Sequence, residues 1–307
     1  MERRSFLKSA VAGSAAAQLR AAGKQIPKRT YRDNVKLSVI AFGGIVVMGM
    51  EQKDADKEVA SSIDRGINYF DVAPSYGRGE AEEKLGPALK PFRKNVFLAC
   101  KTQRRDAAGA REELERSLKR LSTDHFDLYQ FHAVSTMDDV EKILGPGGAA
   151  ETFVKARQEG KVRFLGFSAH NAGAAISLMD RMKLDSILFP VNFVLFAQGN
   201  FGPQILAKAK EKGMARMALK GLAYAPWAKG EKRTSPKCWY RPITDPELAA
   251  KALRFTLSQE ITAAVPPGDE RCYRMALDIA AAFKPMKKAE QEALLATTKG
   301  VEPLFKA

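Results

Sequence analysis

The chain has 307 residues, of which 45% are hydrophobic, and a formal net charge of +15. This size and composition allow one large buried core with short additions, which excludes a disordered or fibrous chain. No apolar run approaches the roughly 20 residues that a membrane-spanning helix needs. Three cysteines without paired spacing argue against a disulfide framework and against a zinc site, so no metal is predicted.

The positive charge is concentrated at the amino end of the chain. Residues 1–36 contain nine Lys or Arg and two Asp or Glu, which leaves a charge of +8 for the remainder. No basic run interleaved with aromatic side chains follows, so the charge does not predict binding to nucleic acid. A basic protein that binds acidic surfaces stays open as a weaker alternative.

The first residues have a pattern of their own. Residues 3–8, Arg-Arg-Ser-Phe-Leu-Lys, precede a segment of small residues and resemble a twin-arginine export signal. The resemblance implies recognition by export machinery through Arg3 and Arg4, cleavage near Ala22 and a periplasmic location. The alternative is a disordered basic tail or a fraying helix on a cytoplasmic protein.

The remainder, residues 29–307, is predicted to be one domain after a tail at residues 1–28. Strand-like apolar runs alternate with helix-like runs, and the strands end near residues 44, 71, 101, 132, 168, 192, 220 and 266. Spacings of 24 to 46 residues correspond to one strand and one helix each. Eight such units predict an α/β protein with a closed (β/α)₈ barrel. A doubly wound open sheet is less favoured, because the segment after the first strand lacks GxGxxG.

The predicted elements follow in chain order. Strands are predicted at residues 37–42, 67–71, 96–101, 126–132, 162–168, 186–192, 214–220 and 261–265. Helices are predicted at residues 55–65, from residue 80 onward, and at 108–121, 151–158, 172–182, 203–212, 246–258 and 270–283. The longest spacing accommodates residues 223–244, which are predicted to form a lid over one end of the barrel.

Ionisable side chains follow three successive strands. Asp71 ends the second strand, Tyr76 lies in the loop after it, and Lys101 and His132 end the third and fourth strands. Taken singly, each has an ordinary explanation, such as a helix cap, a solvated strand end or a partner for a backbone carbonyl. The carboxyl ends of barrel strands meet at one rim, where active sites are built, so the four are predicted to form one site.

The types of these side chains suggest a reaction. A phenol is a proton donor at neutral pH, a nearby ammonium makes it a better acid, and a carboxylate keeps that ammonium charged and in place. A neutral imidazole can donate a hydrogen bond to a carbonyl oxygen. The set is suited to protonating a carbonyl oxygen while hydride is added to its carbon.

At residues 71–77, Asp-Val-Ala-Pro-Ser-Tyr-Gly resembles the signature of the aldo-keto reductases, and the similarity extends over about residues 31–283. Asp71, Tyr76, Lys101 and His132 match that family's catalytic tetrad. The resemblance implies a (β/α)₈ barrel with a C-terminal helix and an N-terminal hairpin plug at residues 31–38. It also implies oxidoreductase activity on a small carbonyl or alcohol substrate, a nicotinamide cofactor and no metal.

The resemblance also implies a set of cofactor-binding positions: Gly44, Ser168, Asn192, Leu219, Lys220, Gly268 and Arg274. Leu219 stands where an aromatic side chain usually stacks on nicotinamide, and Lys220 replaces a Ser and is placed near the diphosphate. Arg274 favours NADP(H), with NAD(H) as the alternative, because a guanidinium pairs well with a phosphate. The alternative for Arg274 is an ion pair on the helix surface.

These departures from the family pattern leave a second function open. Leu219, together with Ala169 at a position that is usually Asn, suggests a nucleotide-binding barrel that acts as a slow-turnover sensor or regulatory subunit. The sequence names neither the substrate nor the oligomeric state.

Overall fold

A computed structural model describes residues 25–306 of the protein. The strands are β1 (Lys28–Arg32), β2 (Val35–Ser38), β3 (Phe42–Gly43), β4 (Tyr69–Asp71), β5 (Phe97–Thr102), β6 (Phe126–Val134), β7 (Val162–Ala169), β8 (Ser186–Pro190), β9 (Ala215–Leu219), β10 (Ala223–Pro226), β11 (Tyr240–Pro242) and β12 (Ala263–Val265). The proposed signal at Arg3 and Arg4 lies outside the described residues.

The helices alternate with the barrel strands as predicted. They are α1 (Gln52–Asp64), α2 (Glu80–Leu89), α3 (Ala107–Arg120), α4 (Met137–Leu144), α5 (Ala149–Gln158), α6 (Ala172–Arg181), α7 (Phe193–Gln198), α8 (Pro203–Glu211), α9 (Pro246–Ser258), α10 (Glu270–Ala281) and α11 (Lys288–Ala296). Side-chain caps begin several of them; Asp106, for example, accepts a hydrogen bond from the Gly109 amide at 2.6 Å. The C-terminal helix is α11.

Eight parallel strands form a nearly closed barrel in the order β12-β9-β8-β7-β6-β5-β4-β3. The sheet closes through the segment just before β3, where Ile40 bridges Ala264 in parallel. The Ala41 amide donates to the Ala264 carbonyl, and the Ala264 amide donates to the Val39 carbonyl, both at 2.9 Å. The predicted (β/α)₈ barrel is confirmed.

An antiparallel hairpin, β1–β2, precedes the barrel. The Tyr31 ring packs on Phe97 and Phe164 with centroids 5.1 and 5.2 Å apart, and its hydroxyl donates to Ser186 Oγ at 3.1 Å. The hairpin is therefore anchored in the barrel interior, as the plug expected at residues 31–38 would be. It starts earlier, at Lys28, within the stretch assigned to the tail.

The predicted first strand at residues 37–42 was wrong in its extent. Leu37 and Ser38 pair within the hairpin, and only Phe42 and Gly43 pair with β4 in the barrel. All of residues 37–42 are buried, and all but Ser38 are apolar. The sequence pattern therefore does not change at the point where the chain leaves the hairpin and enters the barrel.

The predicted lid at residues 223–244 contains the hairpin β10–β11 and the loop between its strands. The Lys237 ammonium donates to the Val46 carbonyl at 2.8 Å and pairs with Glu270 of α10 at 2.6 Å. Arg271 donates to the Thr234 carbonyl at 3.1 Å. The lid is therefore attached to both the first and the last unit of the barrel.

Candidate active site

Two oppositely charged side chains are buried together at the carboxyl ends of β4 and β5. The Lys101 ammonium donates to Asp71, to the Val72 carbonyl at 3.1 Å and to the Tyr76 hydroxyl at 3.4 Å. Lys101 and Asp71 are each about 1% exposed. Since a charge is seldom buried without a partner, this geometry keeps the lysine charged beside the phenol.

Two further polar side chains hold Asp71 in place. The Tyr69 hydroxyl donates to Asp71 Oδ2 at 3.3 Å, and the Gln130 amide donates to the same oxygen at 3.1 Å. Sequence reasoning missed both. The alternation of side chains along a strand could have identified them. Tyr69 lies two residues before Asp71, and Gln130 two residues before His132, so each shares the inward face of its strand with a predicted site residue.

Tyr76 is positioned by a sharp turn before α2. Gly77, Arg78 and Gly79 have φ angles of +60°, +56° and +105°. Residues other than glycine rarely adopt positive φ angles. A Cβ at Gly79 would lie 2.3 Å from the Arg120 guanidinium, so a side chain here would have to displace that group as well as adopt an unfavourable φ. The turn folds the chain back and directs the phenol toward Lys101.

The charges of this cluster follow from its burial. Burial by itself lowers the pKa of Lys101, but the charge and hydrogen bond of Asp71 together with Tyr76 outweigh burial, and the pKa is raised. Burial raises the pKa of Tyr76, and the Lys101 charge partly offsets that effect. The phenol is therefore protonated at neutral pH. The adjacent ammonium stabilises the phenolate that forms when the proton is transferred.

His132 completes the predicted group. Its ring lies edge-on to the Tyr76 ring, with centroids 5.8 Å apart and planes at 84°. Burial, followed by the charge of Lys101, lowers the pKa of His132 well below its usual value, so the imidazole is neutral. Its Nδ1 is buried without a hydrogen-bond partner among residues 25–306.

The backbone at His132 is held by an arginine that the sequence did not single out. Arg105 donates to the main-chain oxygens of His132 and Ala133 at 2.8 and 3.2 Å, and Asp139 accepts from its Nε at 2.8 Å. Ala133 has a φ of +55°, and its amide donates to Ser168 Oγ at 2.8 Å. These contacts fix an unfavourable backbone turn directly beside the imidazole.

The predicted cofactor positions of the later strands lie at the same rim. Leu219, at the end of β9, is in register with Pro190 of β8 and Val265 of β12. Ser168 lies one residue before the end of β7, and within residues 25–306 its hydroxyl accepts from the Ala133 amide but donates no hydrogen bond. The Asn192 amide, by contrast, donates to the Lys220 and Ala223 carbonyls at 2.9 and 2.6 Å.

Asn192 also caps α7. Its side-chain oxygen accepts from the Val194 and Leu195 amides at 2.8 and 3.2 Å. All its hydrogen-bonding positions are therefore used by the backbone, and its contact with a cofactor stays a prediction.

The two predicted glycines are sites of close packing. A Cβ at Gly44 would lie 2.7 Å from Val72 Cγ2, and one at Gly268 would lie 2.2 Å from Ile45 Cγ2. The absence of side chains brings the loop after β12 against the segment after β3.

Arg274 lies on the exposed face of α10. Its guanidinium pairs with Glu58 of α1 at 2.6 Å and is 63% exposed. The neighbouring Asp278 pairs with Arg65 at 2.8 Å. Arg274 thus forms a surface ion pair, but with a different helix and not with an acidic residue near it in sequence, as the alternative expected. Its role in phosphate recognition stays a prediction.

The residues present fit a nicotinamide cofactor. Leu219, at the end of β9, offers partly exposed apolar surface at this rim. The Ser168 hydroxyl and His132 Nδ1, to which the described part of the chain assigns no acceptor and no partner respectively, add polar groups on the same rim. Among the described residues there is no cluster of three side chains able to hold a metal ion.

Comparison with known proteins defines the class. A model of the aldo/keto reductase family matches residues 39–259. The chain is 26% identical over 296 residues to the uncharacterized oxidoreductase YqkF of Bacillus subtilis, covering 86% of this chain and 93% of that protein. This protein belongs to the aldo/keto reductase family and is an NAD(P)-dependent oxidoreductase.

Solved structures agree on the fold. An aldo-keto reductase from Bacillus halodurans, in its holo form, superposes with a TM-score of 0.70 at 22% identity, covering 91% of this chain and 99% of that one. An aldo-keto reductase from Klebsiella pneumoniae in complex with NADPH gives 0.69 at 18% identity, covering 93% and 98%. No helix within residues 25–306 is both long and apolar enough to cross a membrane.

Proposed function

We propose that this protein reduces the carbonyl group of a small molecule, with NADP(H) favoured over NAD(H), and that Tyr76 donates the proton. The observation that carries the proposal is the buried Lys101 ammonium, which bonds to Asp71 and lies 3.4 Å from the Tyr76 hydroxyl. When bound, the cofactor supplies the hydride that is added to the carbonyl carbon. The protein supplies the proton for the oxygen.

Each member of the group has a distinct role in this proposal. Tyr76 releases its proton to the carbonyl oxygen as negative charge develops there, and Lys101 stabilises the resulting phenolate. Asp71, held by Tyr69 and Gln130, keeps Lys101 charged and oriented. Neutral His132 donates a hydrogen bond that directs the carbonyl oxygen toward the phenol. In the reverse direction the phenolate accepts the proton of an alcohol.

The alternative of a slow-turnover sensor or regulatory subunit is less well supported. It was suggested by Leu219 and Ala169, which lie outside the proton-donating group. The four side chains needed for proton transfer are present and converge on one rim.

The test is the variant Tyr76→Phe, assayed for NADPH consumption over a panel of aldehydes and ketones. Turnover should fall by about 10²–10⁴-fold, since a general acid contributes that much. NADPH affinity, followed by tryptophan fluorescence, should stay within a few fold. Undiminished turnover in this variant would remove Tyr76 from the mechanism.

Lys101→Met is the companion variant. Loss of the ammonium raises the pKa of Tyr76 further, so turnover should fall and the alkaline limb of the pH–rate profile should move upward. A profile identical to that of the wild type would show that the two groups are not coupled.

A periplasmic location is a further part of the proposal, with a cytoplasmic location as the alternative. Its support is the twin-arginine pattern at Arg3 and Arg4 and the small residues up to Ala22. In this proposal residues 1–28 serve as signal and linker and residues 29–307 as the enzyme. A tightly bound cofactor would stabilise the folded form before transport by mass action.

A further inference from the structure

One lysine at the barrel rim has an unusual backbone conformation and, in the part of the chain that the structure describes, no anionic partner. Lys220 follows β9 with a φ of +68°, in the left-handed region. Its carbonyl accepts hydrogen bonds from Asn192 Nδ2 and from the Ala223 amide, each at 2.9 Å. The backbone is thus held in place by Asn192 and the start of the lid, and this fixes the direction of the side chain.

The Lys220 ammonium is held by aromatic rings. It lies 4.5 Å from the centroid of Tyr240 and 5.0 Å from that of Trp239. Within residues 25–306 it makes no ion pair and donates no hydrogen bond, whereas Lys237 of the same lid is paired with Glu270. Cation–π contacts hold an ammonium in position without neutralising it, so its charge is available to a ligand.

The surroundings of Lys220 connect it to the catalytic group. Trp239 contacts Phe305, with ring centroids 6.0 Å apart, and Phe305 contacts His170 at 4.9 Å. The Lys220 charge contributes to lowering the pKa of both His132 and His170, which are neutral. The Lys220 charge is therefore felt at His132, and burial lowers the pKa of Lys220 itself to about 8.

This side of the rim combines an unpaired cation with aromatic walls. Trp239 is 52% exposed, so its ring offers open apolar surface beside the ammonium. An anionic group attached to an apolar body matches such a surface, because it gains both a charge contact and ring packing.

We propose that Lys220, held by Trp239 and Tyr240, binds a carboxylate of the substrate, so that the preferred substrates are carbonyl compounds with an acid group. The inference rests on the proposed reductase function and names its substrate class. The other candidate anion for this lysine is the cofactor diphosphate. The experiment below separates the two sources.

The test compares 4-carboxybenzaldehyde with 4-methylbenzaldehyde, a neutral aldehyde of similar size, using NADPH and the full chain. Wild-type kcat/KM should favour the acid at least tenfold. Lys220→Met should bring that ratio close to one, and Lys220→Arg should keep most of it. A wild-type ratio near one overturns the proposal. The proposal is also overturned if Lys220→Met keeps the wild-type preference for the acid but binds NADPH tenfold more weakly. That result would mean that the lysine binds the cofactor diphosphate.

A binding measurement keeps the inference separate from turnover. The chain has two tryptophans, so Trp227→Phe leaves Trp239 as the reporter next to Lys220. With NADPH bound, benzoate should change its fluorescence at lower concentration than benzamide, and Lys220→Met should remove the difference. If Lys220→Met removes the preference for benzoate but the wild type reduces no aldehyde, the reductase function is refuted and the anion site is supported. Equal responses to benzoate and benzamide would refute the anion site.

Discussion

Arg105 donates a hydrogen bond to the main-chain oxygen of His132 at 2.8 Å, from a loop that follows a different strand of the barrel. The same guanidinium bonds to the next carbonyl, that of Ala133, and is held by Asp139. The imidazole is therefore positioned through its backbone, while its ring stays free for the substrate.

Arg105→Met should lower kcat by about 10- to 10²-fold while the Kd for NADPH changes little, because a small displacement of a catalytic group is costly. Loss of the Arg105 charge should also raise the pKa of His132, since that charge helps to lower it. The acidic limb of the pH–rate profile should then move to higher pH. Arg104→Met, an exposed neighbour, is the matched control. An effect of equal size in both variants would contradict a positioning role.

The Arg274–Glu58 pair predicts how the protein discriminates between the two nicotinamide cofactors. Arg274→Ala should weaken NADPH on the order of tenfold relative to NADH, as expected for the loss of a charge-assisted bond to a phosphate. Glu58→Gln should have the opposite effect, because it releases Arg274 from its present partner. Fluorescence titrations with both cofactors measure the ratio. Equal losses for the two nucleotides in Arg274→Ala would place this side chain outside the phosphate site.

The neutral histidines predict a loss of stability in mild acid. Burial lowers the pKa of His170 to about 4, so the unfolded chain binds a proton near pH 6.5 that the folded protein does not. The stability contributed by this group is present above about pH 6.5 and falls as the pH decreases toward 4. Between pH 7 and pH 5 the loss is about 2 kcal/mol at most. Urea unfolding of wild type and His170→Gln measures it, and parallel pH dependences would contradict the assignment.

The amino-terminal proposal predicts a processed protein. In the native host the mature chain should begin near Ala22 and fractionate with the periplasm. Replacement of Arg3 and Arg4 together by Lys should retain it in the cytoplasm with the amino terminus intact. Replacement of Arg20 and Lys24 by Gln, which changes charge outside the pattern, is the control. Mass spectrometry of the amino terminus gives the result, and an unprocessed cytoplasmic wild type would exclude export.

Most strand ends were accessible to sequence reasoning because most of the apolar runs stop at a polar residue or a glycine. Asp71, Lys101 and His132 could be assigned to one rim for that reason, and parallel strands bring such ends together. Glu58 beneath Arg274 and Phe305 against His170 could not be predicted. Each joins residues more than 100 positions apart on different elements, so no local pattern records the contact.

The contact that closes the barrel, between Ile40 and Ala264, determines when the sheet can be completed during synthesis. Ile40 and Ala264 are more than 220 residues apart, so the sheet cannot close until nearly the whole chain has left the ribosome. At a synthesis rate of roughly 5–20 residues per second, on the order of ten seconds or more separate the appearance of the two edges. During that time β3 carries unpaired backbone groups that could associate with another nascent chain. The pairing that closes the barrel is thus also what ends its exposure to aggregation.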